Sequence, residues 1–143
     1  MTPPALLDGQ VRVLTLSTFT DHRGALTPIT FADWGFEAVR SFVVTAPSGS
    51  VRGGHAHRDG RQVLMRVSGT VDVHVRCGDA AETIRLDGAA EAILIEPGVR
   101  AQQTYVTDGA ALVVFADTAY DPLDYVDAEL AGVASRPQGK TRG

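Results

Sequence analysis

The chain has 143 residues, enough for one domain with a buried core, and at 44% hydrophobic and 21% charged it is not a disordered polymer. A net charge of −4 argues against a general nucleic-acid binder, and the single cysteine, Cys77, excludes an internal disulfide framework. No apolar run approaches the ~18 residues that a membrane helix needs. The opening Met1-Thr-Pro-Pro-Ala5 lacks the basic and apolar parts of a signal peptide, so the expectation is a cytoplasmic protein without a membrane partner.

In chain order, residues 1–10 are proline-rich and read as a loose N-terminal arm. Val11–Leu16 alternates and predicts a strand. Phe19–Gly24 is a turn, Ala25–Phe31 a second strand, and Val39–Thr45 a third that ends before Pro47 and Gly49. Val63–Arg76 is β-prone but interrupted by Gly69, which calls for a bulge or a tight turn. Beyond it Val71, Val73 and Val75 share one face, and Asp72, His74 and Arg76 share the other. Gly78-Asp79 and Asp87-Gly88 turn the chain into Thr83–Leu86 and Ala92–Glu96, and Pro97-Gly98 turns it again. Gln103–Val106 and Ala110–Ala116 flank Asp108-Gly109, a hairpin signal. Asp121–Leu130 reads as one short helix, and residues 131–143 as a flexible polar tail. Residues 1–130 are thus expected to form a single all-β antiparallel sandwich or barrel.

The chemistry concentrates in Gly49-Ser-Val-Arg-Gly-Gly-His55-Ala-His57, with Gln62 and Gly69 downstream. Two histidines at i and i+2 on an extended chain point to the same side. Neutral imidazole has a pKa near ~6.5, which suits a general base at working pH. Two imidazoles alone fall short of the three or four ligands of a transition-metal site, so neither a metal nor another cofactor is expected. The spacing from Gly49 through His55, His57 and Gln62 to Gly69 resembles the first cupin motif, with Gln62 where that motif carries an acid. The resemblance implies a jelly-roll fold. After Pro97-Gly98, where the second cupin motif supplies a histidine, this chain has Val-Arg-Ala-Gln-Gln103.

Four further segments extend the likeness: Asp21-His-Arg-Gly-Ala-Leu26, Phe36-Glu-Ala-Val-Arg40, Arg52-Gly-Gly-His-Ala-His57 with Gln62, and Tyr120-Asp-Pro-Leu-Asp-Tyr125. Their order resembles the nucleotide-sugar 3,4-ketoisomerases of the QdtA/FdtA type, also called WxcM-like, over residues 11–127. That resemblance implies a metal-free homodimer that moves the keto group of a dTDP-4-keto-6-deoxyhexose from C4 to C3. It makes His55 and His57 the acid–base pair, and Arg52, Arg40 and Arg23 candidates for gripping the diphosphate or the developing oxyanion. Gln62 is a candidate for holding a sugar hydroxyl or orienting a histidine, and Arg100 and Tyr105 for other substrate contacts.

The chain departs from the family where a tyrosine pair is usual: Phe42 and Val43 lack the hydroxyl. Tyr105 is the candidate replacement donor, or else a core aromatic. A non-catalytic nucleotide-sugar binder and a sister epimerase are the alternative readings. His74 is expected on a solvated strand face, Trp34 in the core or a dimer seam, and Tyr120 and Tyr125 either in the pocket or in packing.

Overall fold

The computed structural model describes residues 5–88 and 91–126. The strands are β1 (Ala5–Leu6), β2 (Val11–Thr15), β3 (Phe19–Asp21), β4 (Gly24–Leu26), β5 (Arg40–Thr45), β6 (Ser50–His57), β7 (Gln62–Ser68), β8 (Val71–Cys77), β9 (Ala80–Leu86), β10 (Glu91–Ile95), β11 (Arg100–Tyr105), β12 (Ala111–Ala116) and β13 (Tyr125–Val126). They form a six-stranded sheet ordered β1-β2-β10-β7-β12-β5, a five-stranded sheet ordered β13-β6-β11-β8-β9, and a β3-β4 hairpin. This is the all-β cupin sandwich that the sequence predicts.

The two-residue period of each strand decides what fills the space between the sheets. Val71, Val73 and Val75 of β8 are buried there against Leu64, Leu112, Val114, Ile93 and Ile95 from the facing sheet. Burying each such side chain stabilises the fold by about 1.5–3 kcal/mol. A second apolar layer lies on the other face of the six-stranded sheet. There Leu14, Val63, Ala92 and Leu94 are covered by Phe36, with Ile29, Phe31 and Trp34 packed against them. β10 is therefore apolar on both faces, which explains why Ala92–Ile95 reads as a continuous run rather than an alternation. Trp34, partly buried, packs against this second layer.

Most of the predicted turns carry the chain from one sheet to the other. β11 and β12 lie in different sheets, so Asp108-Gly109 is a crossing between layers and not the expected hairpin. Gly69 makes the same kind of crossing, from β7 to β8, as a tight turn with φ 70°. A Cβ on Gly69 would lie 2.6 Å from both Ala110 Cα and Thr107 Oγ1, so no larger residue fits. The Gly78-Asp79 turn instead joins strands that pair, β8 and β9, as the His22-Arg23 turn joins β3 and β4.

Two expected elements are replaced. The strand over Ala25–Phe31 shrinks to β4, and Phe31–Trp34 becomes a 3-10 turn closed by Gly35 in the left-handed region. In place of a helix from Asp121, a 3-10 turn spans Pro122–Asp124 and the chain then extends as β13. The Asp121 side chain caps that turn by accepting from the Leu123 N–H at 3.0 Å. Pairing of Tyr125 and Val126 with His57 and Ala56 then captures the backbone in extended form. Residues 127–130 of that expected helix, and the expected tail 131–143, lie outside the described residues.

Candidate active site

β6 carries the site, and two glycines set its geometry. Gly53 and Gly54 both have positive φ, 83° and 96°. Across from them on β11, Gln103 faces Arg52, Gln102 faces Gly53 and Ala101 faces His55, which leaves Gly54 as an inserted residue. A bulge of this kind shifts the alternation by one. Arg52, His55 and His57 therefore all point between the sheets, although unbroken pleating would put Arg52 on the opposite side.

His57 is tied to the far end of the fold. Its Nδ1 lies 3.0 Å from Asp124 Oδ2, brought there by β13 running beside β6. The other carboxylate oxygen accepts from the Asp59 N–H at 2.6 Å, and the Asp124 carbonyl accepts from the Arg58 N–H at 2.7 Å. Burial acts to raise the Asp124 carboxyl, but the N–H groups of Asp59 and Gly60 and the imidazole together hold it below the ordinary range. Burial likewise dominates at His57 and lowers its pKa, against the opposing pull of Asp124 and with some help from the Arg40 charge. His57 is thus neutral at neutral pH. With Nδ1–H donated to a carboxylate, Nε2 is the basic nitrogen.

The two imidazoles open on a recess lined also by Gln62, Glu96, Ala101 and Gln103. Gln62, Ala116 and Arg40 form one inward row across β7, β12 and β5, which brings Gln62 and Arg40 to the histidines' end of the sandwich. The Arg40 guanidinium stacks 5.5 Å from both the Phe42 and the Tyr120 rings. Its Nε and Nη1 are buried and meet no hydrogen-bond acceptor among the described residues. Tyr125 packs on both imidazoles, with ring centroids 4.6 Å from His57 and 5.5 Å from His55.

The remaining candidates lie elsewhere. Arg52 faces inward one step deeper than His55. Tyr105 is fully buried in the core opposite Ser50, and burial pushes its hydroxyl up to about 12 against the influence of Arg52. It is a core aromatic away from the recess lining. Arg100 pairs with Arg76, outside the alternation of Ala101, Gln103 and Tyr105, and so lies on the outer face of the five-stranded sheet. His74 shares that face, with its ring nitrogens 3.0 Å from Thr83 and Thr104 hydroxyls. Arg23 sits at the tip of the exposed β3-β4 hairpin, bonded to Asp21.

Asp124, Tyr125 as a contact of both histidines, and Gln103 were not singled out as site residues by sequence. Asp124 was visible only as part of the closing family segment, whereas Tyr125 stood as a residue of the pocket or of packing and takes a place against the histidines. Among the described residues, no three His, Cys, Asp or Glu side chains converge as a metal-binding group.

A β-sandwich with a His-x-His pair on an inner strand, aimed into a polar recess, defines a cupin of the small-molecule-handling kind. The family can be stated more narrowly: the chain belongs to the FdtA family, described as WxcM-like, C-terminal, whose model matches residues 9–130. A TDP-4-oxo-6-deoxy-alpha-D-glucose-3,4-oxoisomerase from Aneurinibacillus thermoaerophilus is 27% identical over 117 residues, 80% of this chain and 84% of that one. The crystal structure of QdtA, a sugar 3,4-ketoisomerase from Thermoanaerobacterium thermosaccharolyticum in complex with TDP, is 28% identical with TM-score 0.78. That likeness covers 82% of this chain and 88% of QdtA. The rmlC epimerase of Mycobacterium tuberculosis, at 16% identity and TM-score 0.78 over 87% of this chain and 72% of its own, shares the fold.

Proposed function

We propose that the chain is a nucleotide-sugar 3,4-ketoisomerase that moves the keto group of a TDP-linked 4-keto-6-deoxyhexose from C4 to C3. The observation that carries this reading is the neutral His57, fixed by Asp124, beside His55 in the recess of a chain from this family. The C4 ketone acidifies the C3–H bond, and a neutral imidazole near working pH is the appropriate base. Removing that proton gives an enediolate, whose charge the buried Arg40 guanidinium is placed to offset. Delivery of a proton to C4 from the imidazole pair, with loss of the O3 proton and gain of one at O4, completes the exchange. The reaction has no net redox change and needs no metal.

The active form is a homodimer in the cytoplasm. Supporting the dimer, β5 is an edge strand of the six-stranded sheet, and Val43 on it is 69% exposed. The β3-β4 hairpin also presents Phe19 at 63% and Leu26 at 61%, more apolar surface than a short hairpin in water would be expected to leave uncovered. No described helix is long and apolar enough to cross a membrane.

The test is incubation with TDP-4-keto-6-deoxyglucose in D₂O, followed by NMR of the sugar ring. Deuterium at C3 or C4 with a 3-keto product, lost in His57→Asn, is the expected result. Deuterium without keto migration would assign epimerase-type chemistry, and binding without exchange would make the chain a nucleotide-sugar binder.

A further inference from the structure

Gln103 has a position that the isomerase reading leaves without a role. It is 5% exposed and lines the recess together with His55, His57 and Gln62. Its carboxamide lies against Gly53, where an added Cβ would stand 3.0 Å from Oε1 and 3.1 Å from Nε2. The bulge of β6 thus leaves room for this side chain. Oε1 is buried and, among the described residues, accepts no hydrogen bond; the buried Nε2 of Gln62 in the same recess donates none. The interior beyond is built from valine, leucine and isoleucine. An apolar side chain of similar size would avoid the desolvation cost of a buried, unpaired amide at either position.

The two glutamines that line this recess thus carry one buried acceptor and one buried donor without a protein partner among the described residues. We propose that Gln103 and Gln62 together read the adjacent hydroxyl and ketone of the sugar, Gln103 holding the oxygen on C3 and Gln62 the oxygen on C4. This rests on the isomerase reading. In the substrate O3 is a hydroxyl that donates to Gln103 Oε1, and O4 is a carbonyl that accepts from Gln62 Nε2. Isomerisation breaks C3–H and O3–H and forms C4–H and O4–H, so donor and acceptor change places and no oxidant is consumed. A carboxamide carries both kinds of group, so each glutamine can follow its oxygen through that exchange. A carboxylate or an ammonium in the same place would match only one side of the reaction.

The experiment compares three ligands on the wild-type chain and on Gln103→Leu: TDP-4-keto-6-deoxyglucose, its 3-deoxy counterpart as an inhibitor, and TDP alone. The wild type should bind the 3-deoxy compound about 10-fold more weakly than the parent sugar, the share of one neutral hydrogen bond. Gln103→Leu should lose that discrimination and raise KM for the parent about 10-fold, while its affinity for TDP stays unchanged. Unchanged TDP affinity separates a lost sugar contact from a damaged fold. Wild-type chain that binds the parent and 3-deoxy sugars equally overturns the proposal without any variant. Retained discrimination in Gln103→Leu overturns it as well, while leaving the isomerase reading standing. Wild-type chain that neither turns over nor binds the keto sugar overturns both.

Discussion

The Nδ1 of His57 and the Oδ2 of Asp124 lie 3.0 Å apart across 67 residues of sequence. The pairing exists because β13 adds to the edge of the five-stranded sheet beside β6. It selects the tautomer with its proton on Nδ1 and leaves Nε2 as the base. Replacing Asp124 by Asn keeps the shape but removes the obligate acceptor, so the amide can turn its NH₂ toward the ring and stabilise the wrong tautomer. We expect Asp124→Asn to lower kcat by about 10²–10⁴-fold. KM and TDP binding should change little, as steady-state kinetics and calorimetry with TDP will check.

The same pair fixes the sign of the pH dependence. His57 has a folded pKa below its ordinary 6.5, so its contribution to stability is present above that value and is lost as pH falls below it. Asp124, also lowered, contributes above its ordinary 3.8 and loses that contribution at still lower pH. Unfolding midpoints in urea should therefore fall as pH drops below 6.5. The acid limb of kcat/KM should lie below 6.5 as well, because His57 stays unprotonated past its ordinary value. In His57→Asn the first loss of stability should disappear; persistence of the full effect would assign it to another group.

The His-x-His pair and Gln62 were legible because they are local: spacing on one strand sets a common side without knowledge of the partners. Asp124 was not, because its role depends on strand order, and a sequence ending in Asp-Pro-Leu-Asp looks like a helix start. Arg100 illustrates the converse error. The family resemblance made it a candidate substrate contact, but the alternation along β11 gives the recess to Ala101 and Gln103 and leaves Arg100 outside. Asp108-Gly109 shows why local turn chemistry does not determine pairing: the same dipeptide that closes a hairpin can also pass a chain between layers.

Gly53 tests how strongly the bulge positions the recess. Its φ of 83° penalises any side chain, and a Cβ would come 3.0 Å from the backbone oxygen of Ala101 as well as from Gln103. Gly53→Ala should destabilise the fold by about 1–3 kcal/mol and lower kcat/KM more than the stability loss explains. Gly78→Ala is the matched control. Its φ of 62° carries similar backbone strain, but nothing lies within 4 Å of the new Cβ, so it should cost about 1 kcal/mol and leave activity intact. Equal effects on activity in the two variants would mean that the bulge does not position the site.

The last question is which group delivers protons besides the imidazoles. Phe42 offers no hydroxyl, and Tyr105 is sealed in the core with a pKa pushed to about 12, too high and too deep for proton delivery at the histidines. Tyr125 is the phenol that packs on both imidazoles, and it reached that place through the same strand that delivers Asp124. Tyr125→Phe keeps the ring and its contacts while removing only the hydroxyl. We expect its melting temperature to fall by no more than about 4 °C, the share of one hydrogen bond of about 1 kcal/mol in a domain of this size. Its kcat should fall by about 10²-fold if the phenol serves as acid, with deuterium incorporation from D₂O at C4 slowed more than at C3. Unchanged kcat with exchange intact at both carbons would show instead that His55 and His57 carry every proton transfer, with Tyr125 acting only as the wall that orients them.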